Sequence, residues 1–507
     1  MKKKQLRWTL WTIASPFILF IILCILIYLP PIQNFLVDKA AVYASEATGM
    51  NISVGRISLS FPLNLVVTDV DAASPHNDTL LSVRRLQVNV QLLPLLKKQV
   101  EVDGISLQGA TVNSNDLIHG MKLNGTLGEL FISSHGVALD PETAIVNKVL
   151  LKDTDLSLCL NDTAAVDTAA SDTTYWKIIL QDIDLQNVSF ALDMPLDSLS
   201  LAASLDNAIL RDGLIDLHKS AYSLQTFRIK NGRVRYDSGK PLAADSLPSG
   251  LDPSHIALTD IGVKLDSLYY EGRNMKAIIS QFVLKERSGV EIVSATGRMV
   301  SNDKVLRVPS LKLETRDSYL ELNAAMDWNA LDFKGEGLVS ARLMADIGKP
   351  DVVRFMGRMD EKFVRQYPSE PLRIRTGIDG DLNKLKLTTL TAELPGALGL
   401  FARGELTHLT DSLLRGGDIT LEAETKDLKF VSTLAEGIEI PYGTRLEGKF
   451  TMAGAKMGTD LLLMQPEAQA VAAADTIPIT VYNDSISVAD DFKMERAARL
   501  FAKYDLS

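Results

Sequence analysis

The pattern of apolar and polar positions changes twice along the chain. Trp8 to Gln33 carries no charge, and Leu10 to Leu29 is apolar apart from Thr12 and Ser15. Twenty helical residues at ~1.5 Å each span ~30 Å, the thickness of a bilayer core. The stretch therefore predicts a transmembrane helix, with Trp8 and Trp11 at one interface, Phe17 and Phe20 inside and Tyr28 at the other interface. Next, Ile32, Phe35, Leu36, Lys39, Ala40, Tyr43 and Ala47 recur every three to four positions, which predicts a short amphipathic helix over 32–49 ended by Gly49. Beyond Gly49 the period is two.

That alternation predicts a succession of short strands, beginning at Asn51-Ile-Ser-Val and Leu63-Asn-Leu-Val. Val100 to Leu107, Trp176 to Leu192 and Leu224 to Tyr236 read as strand, polar turn, strand. Asn124-Gly125 and Asn231-Gly232 between apolar alternations are hairpin-turn signals. The segment 161–174 is low in complexity and reads as a loop, as does 238–254 with its three prolines. One further helix is expected over 351–366, with Val352, Val353, Phe355, Met356, Met359 and Phe363 on one face. The tail from Pro466 is Ala-rich, then strand-like, then helical from Asp490 to Tyr504 by pattern. The organisation expected is a cytoplasmic tip and anchor over 1–31, an amphipathic helix over 32–49, a β body over 50–460 and an atypical tail over 461–507.

Charge sharpens this picture. Lys2, Lys3, Lys4 and Arg7 are the only charged residues before Pro31, so the positive-inside rule puts Met1 in the cytoplasm and the body across the membrane. A cleaved signal peptide has a shorter apolar run followed by small residues, whereas Pro30-Pro31 leads straight into the amphipathic segment. Removing the four basic residues from 53 leaves 49 against 63 acids, and a body of net charge -14 repels a phosphate backbone, so nucleic acid is not expected as a partner. Cys24 lies in the apolar run and Cys159 far from it, which excludes a disulfide framework. Six scattered histidines show no metal-ligand spacing, and nucleophile, metalloprotease, P-loop and dinucleotide motifs are absent. The carboxylate pairs Asp153/Asp155 and Asp182/Asp184 share strand faces and fit solvated surface better than acid–base chemistry. Neither enzymatic activity nor a cofactor is expected.

Strands of this kind have one apolar face that needs a cover. With about two helices beyond the anchor, two solutions remain: a closed sandwich, or one long curved sheet that leaves an apolar trough open. Periodicity is compatible with both. The apolar face is expected to include Ile105, Leu107, Ile183, Leu185, Val188, Phe190, Ile229, Leu311 and Leu313.

The basic N-terminus, single anchor, amphipathic helix ending in Thr48-Gly49 and the run Ile52-Ser-Val-Gly-Arg-Ile-Ser-Leu-Ser-Phe-Pro resemble the start of AsmA-like proteins. Val83-Arg-Arg-Leu-Gln-Val-Asn-Val and Val100-Glu-Val-Asp-Gly-Ile-Ser-Leu extend the likeness. The stretch from Pro371-Leu-Arg-Ile-Arg-Thr-Gly-Ile-Asp-Gly through Leu394-Pro-Gly-Ala to Gly404-Glu-Leu is similar to the TamB (translocation and assembly module) branch. The resemblance covers roughly residues 1–460 through degenerate apolar patterns. It implies a mainly β fold, an elongated taco-like groove in the periplasm that moves phospholipid between inner and outer membranes. It also implies the inner membrane and an outer-membrane barrel of the Omp85 type as partners, with outer-membrane protein assembly as the alternative role. TamB-type members are longer and carry a C-terminal domain that this sequence lacks, so the chain reads as an N-terminal portion or a short relative.

Overall fold

The computed structural model describes residues 39, 41, 42, 45, 49–60, 64–74, 79–90, 102–114, 120–138, 142–161, 175–239, 250–332, 337–357, 359–434, 442–454, 456–466 and 495–505. The anchor residues Trp8, Trp11, Phe17, Phe20 and Tyr28 and the loop at 162–174 lie outside this set. Among the described residues no helix is long and apolar enough to cross a membrane. Lys39, Ala41, Val42 and Ser45 are helical, and the Gly49 N–H donates to the Ser45 carbonyl at 2.9 Å with Gly49 at φ 70°. Left-handed φ of this kind ends helices and favours glycine.

The protein is mainly β and divides into two compact units, Met1–Pro241 and Leu242–Ser507. Unit 1 contains β1 (Asn51–Ser60), β2 (Asn64–Ala73), β3 (Thr79–Val90), β4 (Val102–Asn113), β5 (Met121–Ala138), β6 (Thr143–Leu160), β7 (Lys177–Met194), β8 (Leu199–Asp216), β9 (Ala221–Leu224) and β10 (Thr226–Ser238). Strands β1 to β8 pair in chain order and β10 closes on β8. All these pairs are antiparallel except β6–β7, which is parallel.

Several strands are long rather than short. β5 to β8 have 18 residues each. The expected turns at Asn124-Gly125 and Asn231-Gly232 are strand interior, in β5 and β10. Asn-Gly marks a place where left-handed backbone is cheap, and a strand can use that as well as a hairpin does. Asn231 adopts φ 53° within β10. At Gly125 a Cβ would lie 2.4 Å from the Asp155 carbonyl oxygen, so the neighbouring strand excludes a side chain.

Unit 2 is an antiparallel meander of β11 (His255–Glu271), β12 (Asn274–Glu286), β13 (Glu291–Ser301), β14 (Val305–Thr315), β15 (Tyr319–Asp327), β16 (Leu338–Ile347), β17 (Leu372–Asp381), β18 (Lys384–Leu394), β19 (Leu398–Thr407), β20 (Gly416–Thr425), β21 (Arg445–Ala453), β22 (Lys456–Pro466) and β23 (Glu495–Asp505). The expected terminal helix is therefore β23, paired along its length with β22. A ladder partner overrides the helix propensity of an Ala-rich segment. Among the described residues three α-helices interrupt the meander: α1 (Trp328–Leu331), α2 (Lys349–Met356) and α3 (Glu361–Gln366). The single helix expected over 351–366 is thus two, broken at Gly357 with φ 77°. Phe355 and Met356, expected on the buried face, are exposed, while Phe363 is fully buried.

Candidate functional site

Residues directly opposite in a ladder share a face, so register alone traces each apolar row across a sheet. In unit 1 one row runs Leu59, Leu65, Val88, Ile105, Ile132, Val149, Ile183, Leu210, Phe227. The row beside it runs Ile57, Val67, Leu86, Leu107, Leu130, Leu151, Leu185, Ala208, Ile229. Five of the expected face residues, Ile105, Leu107, Ile183, Leu185 and Ile229, fall in these two rows. Every position across nine strands is apolar.

Val188 and Phe190 belong to two further rows, the first running Val83, Ala110, Leu127, Thr154, Val188 and Leu205 and the second Leu156, Phe190 and Ala203. Leu185 and Val188 are three apart, an odd spacing that strict alternation places on opposite faces. A seam between the rows resolves this. Asp69, Gly109, Asp153, Asn187 and Asn231 all have left-handed φ, between 49° and 63°, at the step where the ladders skip a pair. Both strands advance two residues across the step, so the register is kept while the left-handed residue shifts the alternation by one. The same shift occurs at Asp212 with φ 51°, where a Cβ on Gly213 would meet the side chains of both Leu210 and Leu180. Aspartate, asparagine and glycine occupy these positions because they tolerate that backbone best.

Polar contacts collect on the other face. Asp184 accepts from Gln186 Nε2 at 3.0 Å and Asn207 Nδ2 at 3.1 Å, and Asp193 accepts from Ser200 Oγ at 2.7 Å. Asp155 accepts from Ser189, Asp153 from Asn187 and Asp182 pairs with Arg211. The carboxylate pairs noted in the sequence are thereby tied into cross-strand bonds. The apolar face has less cover: Ile105 is 37% and Phe190 38% exposed, and only smaller members such as Val83, Ala110 and Ala208 are buried. Inner faces of packed sheets interdigitate and lose such exposure.

Unit 2 repeats the arrangement with a different texture. One row runs Val263, Phe282, Ala295, Leu313, Leu320, Ala345, Ile374, Ala392, Leu400, Ala423, Leu446, Leu463. The next runs Leu265, Ile279, Gly297, Leu311, Leu322, Leu343, Thr376, Leu390, Ala402, Leu421, Gly448, Leu461. The expected residues Leu313 and Leu311 sit side by side in them. From β16 to β21 the two rows form a checkerboard: wherever one has Ala, Thr or Gly the other has Leu or Ile. The opposite face is laced by ion pairs, including Arg375–Asp346 at 2.7 Å and Lys449–Asp418 at 2.7 Å. Exposed pairs of this kind contribute under ~1 kcal/mol each.

Sequence reasoning missed two caps on this face. Phe363 and Tyr367 stack with Phe430 at ring distances of 5.8 and 5.1 Å and pack with Leu372, Leu394 and Leu398, one end of the apolar face. At the other end Ala330 of α1 packs with Met326, Val339, Ile378 and Leu385. A buried polar knot holds the first cap. Asp351, 1% exposed, accepts from Thr315 Oγ1, from Ser318 Oγ at 2.6 Å and from Arg354 Nη1 at 3.0 Å. Arg354 also donates to Asp317 at 2.8 Å. Partial burial disfavours the Arg354 charge, but the bonds to Asp317 and Asp351 outweigh it and hold its pKa above the ordinary value. Lys349 Nζ donates to the Tyr367 carbonyl at 2.7 Å, joining the two ends of the insert.

Among the described residues no three His, Cys, Asp or Glu side chains gather in a metal-binding arrangement. No family model and no curated protein matches the chain.

Proposed function

We propose that this chain is a non-enzymatic lipid conduit of the bacterial envelope, held in the inner membrane by its N-terminal apolar segment with the body in the periplasm. In this reading it is a member of the AsmA-like family, TamB branch, and its apolar faces form an open groove that carries phospholipid acyl chains towards the outer membrane. One observation supports it above the rest: unbroken apolar rows cross nine strands of unit 1 while their bulky members stay partly exposed, Ile105 most of all. A monomer seldom exposes so long an apolar strip without a partner for it. Acyl chains suit the strip because each methylene removed from water contributes ~0.8 kcal/mol without needing any one contact.

The diffuse site has a signature. Single Leu→Ala changes leave transport nearly intact, whereas Leu185→Arg places a charge in the path and stops it. The full chain, purified in mild detergent, is extracted and its lipid measured by mass spectrometry. Phospholipid bound to the wild type and lost in Leu185→Arg supports the conduit. A lipid-free, stably folded protein overturns it. Recovery of trapped barrel precursors together with an Omp85-type barrel would instead favour the outer-membrane assembly role.

A further inference from the structure

We infer that unit 2 sets the size limit of the cargo: its two caps narrow the apolar face to a lane that admits lipids with two acyl chains and excludes those with many. The inference rests on the conduit reading above. On β17 the residues of the apolar face are Leu372, Ile374, Thr376 and Ile378, by unbroken register with β16. Leu372 belongs to the cluster under Phe363 and Tyr367, and Ile378 to the cluster under Ala330. Only Ile374 and Thr376 lie between the caps.

At ~3.4 Å per residue, Leu372 and Ile378 are about 20 Å apart along the strand, and their own side chains occupy part of that distance. Alkyl chains in van der Waals contact need about 4–5 Å each, so with about 3 Å taken at either end the floor between the caps takes about three side by side, enough for a two-chain lipid and too few for six chains. Small residues deepen the floor here: Thr376, then Ala392 and Ala402 on the next strands. Among the described residues unit 1 shows no comparable restriction. On β7 the apolar face continues from Ile178 to Leu192, and among the described residues of that unit no buried apolar cluster closes either end.

A photo-crosslinking amino acid at position 185 or 390 of the full chain tests this. The probes are radiolabelled dioleoylphosphatidylcholine and a six-chain lipid A, each dispersed in mild-detergent micelles. The two-chain lipid is expected at both positions, and the six-chain lipid at 185 with at least tenfold less at 390. Equal capture of the six-chain lipid at 390 and 185 overturns the size limit while leaving the conduit standing. Capture of neither lipid at either position overturns the conduit and the limit with it. Thr376→Phe fills the floor and is expected to cut two-chain capture at 390 at least tenfold, with capture at 185 unchanged and Thr376→Val behaving as wild type. Undiminished capture at 390 in a Thr376→Phe protein with an unchanged melting transition also overturns the lane.

Discussion

The two units answer one problem differently. Each is an antiparallel meander, apart from the parallel β6–β7 pair, with an apolar face crossed by aligned rows. In unit 1 the two central rows are almost uniformly bulky, and among the described residues no buried cluster caps the face along its 18-residue strands. In unit 2 most strands are shorter, large and small side chains alternate, and helical inserts bury both ends of the face. A sheet with one face uncovered draws its stability from ladder hydrogen bonds and cross-strand pairs of about 0.2–1 kcal/mol each. A capped sheet concentrates stability in a few buried side chains. The texture of a period-two pattern therefore carries information that the period itself does not.

That contrast predicts where single substitutions hurt most. Phe363→Ala removes a side chain that is 1% exposed and shared by two aromatic partners, and is expected to cost about 3–5 kcal/mol in unit 2. Phe190→Ala, at 38% exposure, is expected to cost less than about 1 kcal/mol in unit 1. Urea unfolding followed by amide exchange in each unit measures both. Equal costs would mean that the two faces are buried alike and the contrast is false. Asp351→Ala comes next, at about 3 kcal/mol, because it strands Thr315, Ser318 and part of Arg354 in a buried site. Loss of exchange protection should reach the Leu251 amide, which donates to the Arg354 carbonyl at 2.8 Å. Protection at Leu251 equal to wild type would uncouple the knot from that contact.

Much of this was legible beforehand, for reasons visible at particular residues. Alternation identified the strands because each buries one side more than the other. It grouped Leu185 with Val188 only by ignoring their odd spacing, and the cause, a left-handed Asn187, leaves no trace in hydrophobicity. Asn231-Gly232 announced left-handed backbone correctly and was assigned to a hairpin, because the same dipeptide serves a turn and a left-handed step inside a strand. The caps were hidden for another reason. Phe430 lies more than sixty residues from Phe363 and Tyr367 in sequence, and only the meander brings them together. For β23 the helical pattern of 490–504 misled, since the deciding term was pairing with β22.

The seam offers a smaller and more selective way to break the comparison. Asn187→Val puts a β-branched residue at φ 51° and is expected to destabilise unit 1 by about 1–2 kcal/mol, whereas Asn187→Gly stays within about 0.5 kcal/mol of wild type. The Asn187 bond to Asp153 is lost in both, so the difference between the two variants isolates the backbone term. Urea denaturation of the two variants decides it. Equal stability of Val and Gly at this position would mean that the rows keep one face by some other device.

The smallest expected effect lies at the entry to unit 2 and depends on pH. The Asp252 carboxylate accepts the Ser254 amide at 3.0 Å and meets His255 Nδ1 at 3.0 Å. The Ser254 bond, followed by the one to His255, holds its pKa below the ordinary 3.8. A depressed carboxylate stabilises the fold above its unfolded value and loses that contribution as pH falls through its folded value. Exchange protection of the Ser254 amide should therefore be constant above pH about 4 and decline below it. Asp252→Asn should remove that decline, because no proton is taken up at the turn. Unit 1 enters its sheet through an uncharged contact instead, Ile52 N–H to Ser45 Oγ at 3.0 Å, so the Ile52 amide should show no step in the same window. A matching acid step at Ile52 would locate the titration elsewhere and detach it from the turn at Asp252.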